Sequence, residues 1–312
     1  LIYVDKGQVD EYAAWVKTLS FVEVSDADLD NDTYESAEKQ YLQNNTKQAI
    51  SGFSSYVSKF PNGIHALKAN FYLAQLYFAD NLEANSVKHY EFVVAKPRNE
   101  FTEQALARLC QVHLKAKNYD SAIPVLKRLE TEADFPQNIT YAQSNLMKSY
   151  YEKQDFVNAV VYADKVLKND KIDDRIKSDA QIIVARSAIK TNDEAKAKEA
   201  YAKLQKIAKG ELAAEALYYD AYFKNKEGKF ESSNVVVQKI AQDYSGYKYY
   251  GAKSLVIMAK NFYGLKDSFQ ATYILESVIE NFKEYTDVIE EAQKELDFIK
   301  GEEAKRNSSI TN

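Results

Sequence analysis

Helix breakers are scarce in this chain. Only 4 Pro and 9 Gly occur in 312 residues, well under the roughly 5% and 7% usual in proteins. That shortage disfavours a turn-rich β fold and favours long helices. One cysteine, Cys110, leaves no internal disulfide and no multi-cysteine metal site. The three histidines, His65, His89 and His113, stand 24 residues apart, which is not the i, i+4 spacing of a helical metal site. No apolar run approaches the roughly 18–20 residues that a membrane span needs. Basic surplus is missing too: net charge is −5 with acids and bases interspersed, a poor match to a nucleic-acid backbone. The chain holds no G-x-S-x-G, H-E-x-x-H, C-x-x-C or glycine-rich phosphate loop. No enzymatic role, cofactor or metal is therefore expected.

What is present is bulk and rings. Hydrophobic residues make up 46%, charged residues 28%, and tyrosine reaches 24. A single compact core normally stops growing at about 250–300 residues, so a chain of this length is expected to divide or to repeat. It repeats. Small residues recur at Ala49, Ser86, Ala122, Ala159, Ala197, Ser233 and Ala271, in steps of 37, 36, 37, 38, 36 and 38. Twelve positions before each stand Ala37, Ala74, Cys110, Met147, Ala185, Ala221 and Ala259. Four positions after come Phe53, Tyr90, Leu126, Ala163, Tyr201, Val237 and Leu275; seven after come Tyr56, Val93, Leu129, Val166, Leu204, Ile240 and Val278. Offsets of four and seven share one helical face. Small residues let two antiparallel helices approach, and large ones fill the gap to the next pair. Turn stretches such as Lys117–Asp120 and Glu227–Lys229 separate the helices of a pair, and Phe60–Gly63 and Tyr244–Gly246 separate pairs.

The two ends read differently. Lys6 to Lys17 is expected to be the second helix of a truncated repeat, with Tyr12 at the anchor, and Val22 to Asp32 an irregular acidic connector. Since Leu1 is already in register, the chain reads as a piece of a longer protein whose targeting segment lies elsewhere. Asp287 to Lys300 is expected to form a capping helix, and 301–312 a flexible polar tail. The organisation is thus 1–32, a repeat array over 33–286, a cap over 287–300 and a tail. Within the connector, Asp26, Asp28, Asp30 and Asp32 alternate as in a calcium loop. Position twelve from Asp26 is Ala37, however, where that loop needs a bidentate Glu.

The small–twelve–small pattern resembles the tetratricopeptide repeat family over roughly residues 33–283. The resemblance implies an all-α fold, an α-α superhelix of about seven helix pairs. Steps of 36–38 exceed the family's usual 34 or so; Cys110 and Met147 replace small residues, and Asp220 stands where an apolar one is expected. Lys59-Phe60-Pro61-Asn62-Gly63 followed by Ala69 to Ala74 looks like envelope-associated bacterial members, above all the long repeat proteins of the Bacteroidetes.

In that family, residues three before, one after and four after the first helix's small position tend to line a concave groove. The resemblance places there Phe71, Gln75, Phe78, Gln111, Ser144, Lys148, Tyr151, Ile182, Arg186, Tyr218, Tyr222, Asn225, Lys260 and Tyr263. The set mixes rings, amides and cations with no acid. Tyr and Arg carry binding energy at interfaces, and Lys favours an acidic partner. The expected role is a non-enzymatic protein- or peptide-binding scaffold, periplasmic or otherwise associated with a bacterial cell envelope. A structural spacer within a larger repeat protein and a glycan- or cell-wall-binding accessory are the open alternatives.

Overall fold

The computed structural model describes residues 9–19 and 25–310. Every regular element among them is an α-helix. The chain divides into two compact units, 1–149 and 150–312. In the first lie α1 (Val9–Lys17), α2 (Asp26–Leu42), α3 (Thr46–Lys59), α4 (Ala66–Ala79), α5 (Glu83–Ala95), α6 (Thr102–Lys115) and α7 (Tyr119–Glu132). Helix α8 (Pro136–Glu152) contains the boundary. The second unit continues with α9 (Phe156–Leu167), α10 (Asp174–Lys190), α11 (Glu194–Leu204), α12 (Glu211–Lys226), α13 (Phe230–Asp243), α14 (Lys248–Gly264), α15 (Ser268–Asn281) and α16 (Thr286–Ile310).

Even-numbered helices from α2 are the first of each pair and odd-numbered ones from α3 the second. Seven complete pairs therefore stand among the described residues, with α1 before them and α16 after. In the first unit each helix from α2 to α7 packs on the next; in the second the same holds from α9 to α16, and α14 also touches α12 and α16. All fourteen anchor residues, Cys110 and Met147 included, are buried, as are the residues four and seven positions after each second-helix anchor. The paired anchors meet directly at Ser233, whose Oγ donates to the Ala221 carbonyl at 2.8 Å. At Gly52 the approach is closer still, because a Cβ there would come within 2.8 Å of the Ala37 Cβ. Replacing Ala197 with Leu is expected to overpack α11 against its neighbours and to cost about 1–3 kcal/mol. Urea unfolding followed by circular dichroism measures this, and an unchanged midpoint would refute the packing role of the anchors.

One left-handed residue turns each first helix into its partner: Asn44, Asn81, Lys117, Gln154, Asn192, Gly228 and Lys266, with φ between 53° and 72°. They recur at the anchor spacing. Four of the next residues then cap the second helix, with Asn118, Asp155, Asp193 and Asp267 accepting from the amide three positions on.

Both end segments differ from the sequence expectation. The acidic connector is helical from Asp26, because Ser25 and Asp28 form a reciprocal capping box that starts α2. On a helix, residues two apart point in very different directions, so Asp26, Asp28, Asp30 and Asp32 do not converge as a calcium loop requires. The expected flexible tail is helical as far as Ile310. Lys305 pairs with Glu302 and Arg306 with Glu303 one turn apart, while the Ser268 hydroxyl of α15 donates to Glu303. Residues 1–8, 20–24 and 311–312 lie outside the described residues. Tyr12 ties α1 to α2 through a 3.1 Å hydrogen bond to Asp32. Asp220, at a position expected to be apolar, is half-buried and paired with Lys224 at 2.6 Å.

Candidate functional site

In the first unit two of the sequence-predicted residues meet at a pocket. Gln75 and Phe78 of α4 line an open cavity of about 270 Å³ together with Tyr41 of α2, Leu76, Ala79, Tyr90 of α5 and Arg108 of α6. Their positions follow from the repeat. Tyr41 and Phe78 stand four residues after Ala37 and Ala74, and Gln75 one after Ala74. The Tyr41 hydroxyl donates to Gln75 Oε1 at 3.2 Å. The Arg108 guanidinium lies 4.6 Å over the Phe78 ring and gives one N–H to Gln111 Oε1 at 2.9 Å. Gln111 is exposed beside it.

Tyr90 sits at the floor, wholly buried, and its hydroxyl has no hydrogen-bond partner among the described residues. Burial pushes that hydroxyl up to about 12, against the pull of the Arg108 charge. Two first-unit candidates are buried instead. Ser144 is enclosed on α8, and Phe71 is stacked on Phe101 at 4.3 Å, so Phe71 belongs to the core rather than to any surface.

Lys148 is exposed on α8. In the second unit, Tyr151 is half-buried with its ring edge-on to Phe156 at 5.7 Å. Arg186 of α10 forks onto Glu215 of α12, Nε at 2.9 Å and Nη2 at 2.5 Å. Glu215 is 2% exposed and also accepts the Tyr201 hydroxyl at 2.9 Å and that of Tyr250. Burial alone would raise the Glu215 carboxyl, but the Arg186 hydrogen bonds and charge, with the two tyrosine donors, hold it below its ordinary value. The hydrogen bond to Glu215 raises Arg186 in turn. Lys260 is likewise taken, by Glu291 at 2.7 Å and Glu295 at 3.3 Å.

The second-unit rings and amides are also engaged within the chain. Tyr218 is 6% exposed, with the Lys253 ammonium 5.0 Å from its ring. Tyr222 is half-buried under Lys226 at 5.6 Å. Asn225 donates to Asn261 Oδ1 at 2.7 Å, and Asn261 passes the chain on to Asn234 at 2.8 Å. Tyr263 meets Phe298 edge-on at 5.9 Å. The expectation of a cationic face without acids is thus corrected at Arg186 and Lys260. Their carboxylates come from two helices further along the chain, α12 and α16, at positions that the groove offsets do not sample. Sequence reasoning also missed Arg108, which lies two before Cys110 and outside those offsets, and the pocket role of Tyr90, whose register marks it only as core.

The remaining candidates are structural. His89 is buried, stacked on Tyr77, with Nδ1 2.8 Å from Asn70 Oδ1. The Asn70 amide already donates to Ala66, so the ring nitrogen donates to Asn70. Burial, with a smaller contribution from Lys88, lowers His89 to about 4 and keeps it neutral. The Cys110 thiol is pushed up to about 12 by burial, which leaves it unreactive. Among the described residues no three His, Cys, Asp or Glu side chains are grouped to hold a metal, and no helix is long and apolar enough to cross a membrane.

Residues 12–144 match the family model described as a tetratricopeptide repeat-like domain. No curated protein matches the chain by sequence. Among solved structures it is similar to a tetratricopeptide repeat protein from Parabacteroides merdae, at 12% identity over 85% of this chain and 98% of that one, with a TM-score of 0.41. Pseudomonas aeruginosa pilF is similar at 15% identity, over 72% of this chain and 97% of that one, with a TM-score of 0.41. A chain from the structure of Naa15/Naa10 bound to HypK-THB is similar at 15% identity, over 86% of this chain but 39% of that one, with a TM-score of 0.48.

Proposed function

We propose that this chain, whose residues 12–144 match the tetratricopeptide repeat-like family model, is a non-enzymatic scaffold for a protein or peptide partner in a bacterial cell envelope. The observation that carries the reading is the open first-unit pocket, built by the first helices of three successive pairs and floored by Tyr90. Among the described residues Arg108 meets no carboxylate and the Tyr90 hydroxyl no partner, unlike the cations and hydroxyls around Glu215. A scaffold leaves such groups for what it binds. The envelope part of the reading rests on the resemblance of Lys59–Ala74 to envelope-associated repeat proteins.

Photo-crosslinking tests the scaffold. A benzophenone amino acid replacing exposed Gln111 is expected to trap a discrete partner from envelope extract, and one replacing exposed Val235 on the second helix α13 is not. Crosslinks from Val235 alone would move recognition to the other face. Cell fractionation tests location: the native protein found only in the cytosol would remove the envelope assignment.

A further inference from the structure

We propose that the pocket between α2, α4 and α6 receives a glutamate side chain from an extended segment of the partner. The proposal rests on the scaffold reading and specifies its chemistry. At about 270 Å³ the cavity is small, on the scale of a side chain rather than a cofactor. Its lining combines polar groups, Arg108, Tyr90 and the Tyr41–Gln75 pair, with the apolar side chains of Leu76, Phe78 and Ala79, which suit the carboxylate and the methylenes of a glutamate respectively.

Charge selects an anion. Arg108 is the one charged residue lining the pocket, it gives one N–H to Gln111, and it has no ion-pair partner among the described residues. A guanidinium carries five donors in a fixed fork, so donors remain for a carboxylate. The Tyr90 hydroxyl is the independent observation: a buried, unpartnered group costs stability and asks for a ligand.

The second unit shows what this combination holds. Tyr201 occupies in its repeat the position that Tyr90 occupies in its own, four residues after Ala197 and Ser86 respectively. There an arginine and two tyrosine hydroxyls close on the carboxylate of Glu215. In the first unit arginine and tyrosine hydroxyls are assembled again, and none of the described residues supplies them a carboxylate.

Five libraries of dodecapeptides with randomised flanks test the assignment. Four are amidated with central Glu, Asp, Gln or phosphoserine, and the fifth has central Gln and a free C-terminal carboxylate. Each is passed over the whole chain and over its R108Q and Y90F variants, with helicity and melting temperature checked by circular dichroism. The Glu library is expected to be retained over the Gln library by about tenfold, the scale of one charge-assisted contact. R108Q abolishes that preference. Y90F weakens it about threefold while melting no lower than the parent, since it removes a hydroxyl that has no partner. A preference that survives R108Q, or that falls instead on Gln, Asp, phosphoserine or the free C-terminus, overturns the glutamate assignment. Peptides retained with no preference at the centre overturn it while the scaffold reading stands. No retained peptide in any library removes both.

Discussion

Glu215→Gln is expected to destabilise the second unit by about 2–4 kcal/mol at pH 7. Breaking a buried pair by removing one partner costs about 3–5 kcal/mol, and the figure is reduced here because the Arg186 side chain is 43% exposed. The amide would also turn an N–H₂ group toward donors that now converge on a carboxylate. The pH dependence separates this from simple repacking. The Glu215 carboxyl is held below its ordinary value of 4.5, so its contribution is complete above that value and disappears as the pH falls through the folded-state value. The parent therefore loses stability over that acid window more steeply than the variant, and the two urea-unfolding curves converge. Burial, helped by the Glu215 charge, raises the Tyr201 and Tyr250 hydroxyls. Stability from these groups is present below about pH 10 and falls above it. Equal unfolding midpoints for parent and variant at pH 7 would refute the structural role of the pair.

Asp30→Ala is expected to cost about 2–3 kcal/mol, at the upper end for one buried hydrogen-bonded group. The Asp30 carboxylate is buried and bridges α2 to the loop before α4. One oxygen accepts the Tyr56 hydroxyl at 2.5 Å and the other the Ile64 amide at 3.0 Å. The Tyr56 hydroxyl in turn accepts the His65 amide at 3.0 Å, and the His65 ring stacks on Tyr34 at 4.1 Å. Gly63 is required at this junction, since a Cβ there would strike the Asp30 carboxylate and the Tyr56 hydroxyl. Hydrogen exchange at Ile64 and His65 should speed markedly in the variant. Asp26→Ala, at an exposed position in the first turn of α2, should cost less than about 1 kcal/mol. Unchanged protection at Ile64 would refute the bridge.

These two sites show why part of the molecule was legible in the sequence and part was not. The anchors, the four- and seven-residue offsets and the seven pairs depend on helical geometry over fewer than forty residues, and a period of 36–38 displays them. The connector was misread as irregular because its acids, not its Ser25–Asp28 capping box, dominated the pattern. The tail was misread because its polar composition concealed the turn-spaced ion pairs that extend α16. At the first-unit pocket, Gln75, Phe78 and Gln111 followed from the family offsets, whereas Arg108 lay outside them and Tyr90 matched a core register.

The chain alone determined the helices, their pairing and which small residues lie where two helices meet, because each depends on the nearby spacing of side-chain sizes. Only the tertiary structure decided which polar groups are occupied. Arg186 meets Glu215 and Lys260 meets Glu291 from helices about thirty residues further on, while Arg108 and Tyr90 meet no carboxylate among the described residues. Size recurs with the helical period and can be read along the chain. Charge pairing depends on which side chains of successive helices come within about 3 Å of each other, a distance that packing sets and periodicity does not encode.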